Sequence, residues 1–382
     1  MKKLLRFLSY LLVIVATCVL TLVISGNWQR IAPESKLTEL AYLLEQYYAD
    51  DVDMSKLEDA AANAMVEALP DRWSYYISAD EYASYLENKN NAFVGVGITI
   101  TVVDQGYSII KVLEGGPAEE AGILPGDILV AVDGVSMAGA DSNAGKNLIQ
   151  GQEGTTVELT VLRQHEEITY TVQRRTVRKK VATGTMLEGN VGLVTIENFN
   201  TYCAEESIAA VKQLLSQGAT MLIFDVRNNG GGYTKEMVTL LDYLLPEGPL
   251  FRTKDYNGKE SVDYSDASCV NVPMAVLVNG SSYSAAEFFA AALAEYDAAV
   301  IVGQQTSGKG FYQITYSLSD GSAVAISSGR YYTPKGVNLE GVGLTPEFYV
   351  DVDDATAAAI YACTLDPMED PQILAAIAAL QA

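Results

Sequence analysis

Apolar residues recur along this chain with periods that change from segment to segment, and each period predicts a different kind of element. Leu37, Leu40, Tyr42, Leu43, Leu44 and Tyr47 keep a helical stripe, and residues 54–69 predict a second helix. The stretch Asp71-Arg72-Trp73-Ser74-Tyr75-Tyr76 breaks that pattern, and Ser78 is placed to cap a third helix. Strand-like runs follow: Ile98 to Val103, Ser108 to Val112, and a pair joined by an Asp133-Gly134 turn. Beyond Val181 the runs become fully apolar and alternate with helical patterns. Val191 to Phe199 and Met221 to Val226 read as strands around an amphipathic helix from Cys203 to Gln217. Met274 to Val278 and Ala298 to Val302 are strands around a helix from about Ala285 to Tyr296, and Phe311 to Leu318 is a further strand. Such alternation predicts a layered α/β body.

The start of the chain is different. An uncharged, mostly apolar run from Phe7 to Gly26 follows Lys2, Lys3 and Arg6. About twenty such residues suffice to span a bilayer, and the basic flank predicts that the amino end stays cytoplasmic. No A-x-A cleavage signal follows, so the run is read as an uncleaved signal anchor: single-pass in the cell membrane, with the rest extracytoplasmic. Val15-Ala16-Thr17-Cys18 faintly resembles a lipoprotein site, although threonine before the cysteine fits that poorly. A buried core helix is the bland alternative, and the terminal position with basic flanks weighs against it.

The length, 382 residues, favours two or three domains. The net charge of −23 argues against nucleic acid and acidic lipid as partners and favours solubility outside the cell. Of the four cysteines one lies in the apolar run, which leaves an odd number and no C-x-x-C spacing, so neither a disulfide framework nor a metal site is expected. With a single histidine, catalytic zinc is improbable. No cofactor, metal or nucleotide is implied.

Candidate chemistry gathers between 276 and 313. Ser284 follows an apolar strand and a small polar turn and opens a helix, while Lys309 sits between Gly308 and Gly310 after the next strand. A serine exposed at the carboxyl edge of a sheet, with a base brought to it by the fold, is a nucleophile arrangement. The lone histidine, His165, lies far off in a Gln-His-Glu-Glu hairpin turn, so a Ser-His-Asp triad has little to work with. A neutral lysine is the recurring substitute, and burial makes one by disfavouring the ammonium. Gln313, four positions on, is placed to orient the Lys309 amine if the two share a face. The bland alternative is that Ser284 only caps its helix, since Ser284-Ala285-Ala286-Glu287 is a capping box, and that Lys309 is merely solvated. Ser282 is a rival nucleophile.

These residues resemble the C-terminal processing peptidases, or tail-specific proteases. That family typically has S-A-S-E after an apolar strand, with F-G-K-G and a glutamine downstream, and the same serine-to-lysine interval of 25 positions. The resemblance implies Ser284 as nucleophile, Lys309 as base and Gln313 as the orienting amide. Tyr283, Ala286 and Ser307 depart from the pattern without removing a catalytic atom. Asp225 to Gly232 fits the family's D-L-R-x-N-x-G-G with valine for leucine. A glycine-rich turn at a strand's carboxyl end frees amides for an oxyanion; a phosphate cradle is the rival, but G-K-[ST] is absent. The resemblance assigns one oxyanion donor to Gly231 and the other to Ala285. Residues 331–336 and 341–346 match its closing motifs, and residues 71–76 resemble its D-P-Y-S-x-Y segment.

Gly116-Pro117-Ala118-Glu119-Glu120-Ala121-Gly122 followed by Leu124-Pro125-Gly126-Asp127-Ile128-Leu129 resembles a PDZ domain. The loop Gly95-Val96-Gly97-Ile98 would then hold a chain-end carboxylate on its amides, and the adjoining strand would take the peptide as an extra strand. The bland alternative is that these glycines build a tight turn. The expected fold is thus a multidomain α/β chain: anchor 1–30, helical arm 31–92, PDZ domain 93–178, and a layered α/β (ClpP/crotonase-like) serine peptidase body 179–382. Its expected partners are proteins or peptides with apolar C-terminal tails. The arm cannot bury its faces alone, so it packs on the body or forms a homo-oligomer, and an activating adaptor is a further partner the reading allows. The competing class is a PDZ-bearing scaffold on a catalytically dead body.

Overall fold

The computed structural model describes residues 12–17, 21 and 35–382. Most of the apolar run 7–26 lies outside the described residues, and among the described residues no helix is long and apolar enough to cross a membrane. The chain forms two compact units, 1–76 and 77–382.

In the first unit, helix α1 (Lys36–Tyr47) is capped by Ser35 and α2 (Met54–Glu67) by Asp53, and neither buries a residue. Leu40, Leu43 and Tyr47 of the helical stripe stay exposed. A three-residue strand, β1 (Tyr75–Ile77), runs across the boundary at residue 76. The third helix expected of the arm, α3 (Ala79–Asn90), starts at Ser78 as its sequence suggests but belongs to the second unit. There Tyr82 and Tyr85 stack at 5.9 Å and their hydroxyls meet Ser317 and Thr315 at 3.1 Å each.

β2 (Ala92–Gly95) pairs with a strand formed by residues 175–178, closing the ends of the next module. Between them lie β3 (Ile98–Val103), β4 (Gly106–Val112), α4 (Pro117–Ala121), β5 (Ile128–Val132), β6 (Val135–Ser136), α5 (Ser142–Ile149), β7 (Thr156–Arg163) and β8 (Glu166–Gln173). The sheet order β3-β4-β5-β7-β8 leaves β3 at an edge. Its core of Val96, Tyr107, Ile109, Leu129, Leu159 and Val161 is separate from that of the body. Gln164 and His165 take positive φ in the β7–β8 turn, which puts the only histidine in a hairpin rather than a site.

The body carries a six-stranded sheet ordered as residues 182–187, 191–196, 221–225, 274–278, 299–303 and 348–349. All of its pairs are parallel except the first. Period-two alternation splits its side chains between two cores. Val194, Phe224 and Val276 face the helices Cys203–Ser216, Thr234–Leu244 and Ala285–Glu295, while Leu193, Ile223 and Leu277 face Ile373 and Ala376 of the terminal helix Pro371–Gln381. Helices on both faces are why Met274–Val278 is buried at every position. An antiparallel sheet of strands 248–255, 260–265, 311–317 and 323–332 completes the body. The alternation pattern alone did not suggest its first hairpin, although Asn257-Gly258 is a turn signal.

The PDZ-like module is clamped by an ion pair between buried Asp127 and partly exposed Arg163. Asp127 accepts from Arg163 Nε and Nη2 at 2.6 Å each and from the Leu124 N–H at 2.9 Å. Burial pushes this carboxyl up, but the Arg163 and Leu124 bonds outweigh it and hold it below the usual range. The stabilisation is therefore complete above the unfolded value of about 3.9 and is lost as pH falls through the lower folded value. Asp127→Asn is expected to cost about 2 kcal/mol at neutral pH and to flatten the fall in stability below about pH 4. Denaturant titrations across pH check this; identical acid profiles for both proteins would contradict it.

Candidate active site

Ser284 stands where the central strand Met274–Val278 gives way to the helix Ala285–Glu295. Its backbone takes φ 59° and ψ −126°, sparsely populated for a residue with a Cβ. Holding it there costs on the order of 1–3 kcal/mol, so the surroundings must over-determine it. The capping box expected from the sequence is present, with the Ser284 side chain turned to the Glu287 N–H and the Glu287 carboxylate accepting the Ser284 N–H.

What does the holding is Glu287, one turn into the helix and fully buried. Its Oε2 accepts the Ser284 N–H at 3.0 Å and the Lys309 N–H at 2.8 Å. Its Oε1 accepts the Gly308 N–H at 2.8 Å and the Thr306 hydroxyl at 2.5 Å. One carboxylate oxygen thus ties together the two residues that lie 25 apart in sequence, and their backbone nitrogens are within about 6 Å of each other. The capping-box pattern placed Glu287 on Ser284 but gave no sign of the Lys309 loop. Gly308 is required by that loop: φ is +77°, and a Cβ there would lie 2.8 Å from the Gly343 nitrogen.

Lys309 is half-buried, and its Nζ lies 5.8 Å from the centroid of the Tyr283 ring. The departure at 283 thus supplies a wall for the lysine. Lys309 precedes the strand Phe311–Ser317, and a register shift falls between Tyr312 and Gln313, so strand parity is not what relates Lys309 to Gln313. The Gln313 amide nitrogen donates to Ser327 Oγ at 3.0 Å and to the Phe311 carbonyl at 3.4 Å. Ser282 is occupied elsewhere: its buried hydroxyl donates to the Val226 carbonyl at 2.7 Å, which fits a structural role.

The glycine loop after strand Met221–Asp225 is fastened to the serine turn. Asn228 and Asn279 bond each other twice, at 3.0 and 2.9 Å, and the Tyr283 N–H donates to the Asn229 carbonyl. Gly231 takes φ +81°, and a Cβ there would lie 2.8 Å from Ser284 Cβ, so the loop touches the candidate nucleophile only because the residue is glycine. Its N–H donates to Asn229 Oδ1 at 2.8 Å. The Ala285 N–H, at the first helical position, has no helix acceptor. Behind the loop, buried Arg227 pairs with Asp225 at 2.6 Å and Asp370 at 2.8 Å and reaches Gln372, anchoring the strand end to the terminal helix. The sequence pattern contained Asp225 and Arg227, but the partners Asp370 and Gln372 are too distant in the chain to be read from it.

The PDZ-like loop has its carbonyls turned inward. Val96 O accepts from Ala118 and Gly97 O from Leu113, at 2.9 and 2.8 Å. Ile98 opens the edge strand β3, and Gly95 through Ile98 line a cavity of about 560 Å3.

Comparison with known proteins places these features in company. Residues 190–350 match peptidase family S41, and residues 94–173 match the PDZ domain. The carboxy-terminal processing protease CtpA of Bacillus subtilis is 30% identical over 367 residues, 93% of this chain and 79% of that protein. A CtpA-like serine protease of Staphylococcus haemolyticus is 32% identical over 85% of this chain, which spans 66% of that protein's length. A solved structure of an S41 protease from Bacteroides fragilis aligns with TM-score 0.54 at 17% identity, covering 92% of this chain and 97% of its own; it shows the fold.

Glu287→Gln keeps the shape of the buried side chain but sets an amide N–H2 against N–H and O–H donors. It is expected to destabilise the chain by about 3 kcal/mol, read as a lower denaturation midpoint. An unchanged midpoint would show that the carboxylate is not holding the two loops.

Proposed function

We propose, for a chain that belongs to peptidase family S41, that Ser284 and Lys309 hydrolyse peptide bonds in polypeptides delivered by their carboxyl ends. The observation that carries this reading is the shared Glu287 oxygen, which holds the backbones of both residues side by side. Neutral Lys309 Nζ takes the Ser284 hydroxyl proton as Oγ attacks the carbonyl carbon. The oxyanion is met by the Ala285 N–H, joined by the Gly231 N–H when it turns from Asn229. As the C–N bond breaks, Lys309 returns the proton to the leaving amine. A water then loses a proton to Lys309 and attacks the ester, and Ser284 regains its hydroxyl. Gln313 Oε1 is the atom that would orient the Lys309 amine. The PDZ domain captures the substrate tail on β3, with the chain end at Gly95 to Ile98.

The basic flank and the apolar run support a membrane anchor at 7–26, with the body outside the cytoplasm. Exposed apolar stripes on α1 and α2 are consistent with association of two copies through these helices, which analytical ultracentrifugation of the chain with and without residues 31–76 would test; the same number of copies per particle in both would count against it.

Lys309→Ala is expected to abolish peptide cleavage while the chain stays folded, and Lys309→Arg should not restore it, because a guanidinium does not deprotonate at working pH. Intact mass spectrometry of peptide products decides; retained cleavage by Lys309→Ala would sink the dyad. The full chain is expected to stay with membranes through carbonate extraction, and its release would count against the anchor.

A further inference from the structure

The cavity of about 560 Å3 is not built by the PDZ domain alone. Its lining includes the Gly95–Ile98 loop, edge strand β3 and Ile149 of α5. A further part of the lining comes from outside the residues matched to the PDZ domain: Lys179, Asn198 and Asn200.

Two properties of the cavity as a whole, with Lys146 from the PDZ domain and Lys179 from outside it, point to a ligand. The first is charge. The only ionisable side chains lining the cavity are Glu87, Lys146 and Lys179, which leaves it net positive in a chain of net charge −23. A molecule so acidic repels anions at long range, so a locally positive cavity is selective for an anion that is brought in by other contacts. The second is an unsatisfied acceptor in a residue that lines the cavity. Asn200 donates through Nδ2 to the Asn88 carbonyl at 3.1 Å, while its Oδ1 is buried with no hydrogen-bond partner, the one such side-chain atom among the described residues. An acceptor left so costs about 1–3 kcal/mol until a donor reaches it. An extended peptide entering along β3 brings both complements, a carboxylate at its end and N–H groups along its length.

We propose that the substrate tail is read by a composite site. The loop amides and Lys179 take the α-carboxylate, Asn200 Oδ1 takes a donor from the tail backbone, and Ile98 and Ile149 receive an apolar last residue. The PDZ domain by itself is then an incomplete reader of the chain end. This rests on the tail-capture reading above.

The test uses binding, so that it does not depend on turnover. Full-length Ser284→Ala protein is titrated against an amino-terminally labelled peptide of about eight residues ending in valine, as free acid and as amide, by fluorescence polarisation. The parent is expected to prefer the acid by about tenfold. Lys179→Glu should weaken acid binding about fivefold, leave the amide unchanged and remove part of the salt dependence. Asn200→Ala should weaken acid and amide alike. Lys179 is exposed, so its variant keeps the test decisive if Asn200→Ala fails to fold. Acid preference at the parental level in Lys179→Glu would overturn the composite site while leaving tail capture standing. A parent that binds acid and amide equally would overturn tail capture itself, and the composite site with it.

Discussion

Glu287 has no exposed surface, yet it is an acceptor that must be satisfied where it sits. It finds its donors in the Ser284 amide, the Lys309 and Gly308 amides and the Thr306 hydroxyl. A buried carboxylate without those donors would cost several kcal/mol, so the serine turn and the lysine loop are held in one arrangement by the same group. Thr306 passes the constraint on: its hydroxyl oxygen also accepts the Leu344 N–H at 2.7 Å, which fixes the closing loop 341–346 over the lysine loop. The strained backbone of Ser284 is tolerable because this network leaves it no alternative.

A second set of bonds sets the glycine loop against the same serine. Arg227 fixes the strand end, the Asn228–Asn279 pair joins the two turns, and Phe199 brackets the loop by donating to the Gly231 carbonyl at 2.8 Å and accepting from Tyr233 at 2.7 Å. Phe199 lies between Asn198 and Asn200, which line the cavity of about 560 Å3. The segment that lines this cavity is therefore also the segment bonded to the glycine loop.

Much of this was legible in the sequence. Fully apolar runs marked the parallel strands because helices cover both faces of that sheet, and Ser284 and Lys309 stood out because strand-to-helix turns and glycine-flanked loops occur where backbone must come close. The PDZ module was readable from its turn glycines and from Asp127, whose partner Arg163 was not. What stayed hidden was long-range pairing. Glu287 looked like half of a capping box, since nothing local announces a loop that folds back twenty residues later. The expected Lys309–Gln313 parity assumed one continuous strand, and the strand begins only after the lysine and bulges before the glutamine. Gly231 was expected to offer its amide outward, and Asn229 takes it instead.

The central claim is that Glu287 makes Ser284 reactive by holding the lysine loop beside it. The most direct measurement is the rate of labelling by a serine-directed fluorophosphonate, with the adduct located by peptide mass mapping, in the native chain and in Glu287→Ala confirmed as folded by circular dichroism. The expected result is a single adduct on Ser284 in the native chain and labelling slower by a factor on the order of a hundred in the variant. An adduct on Ser282, or equal rates in the two folded proteins, would contradict it.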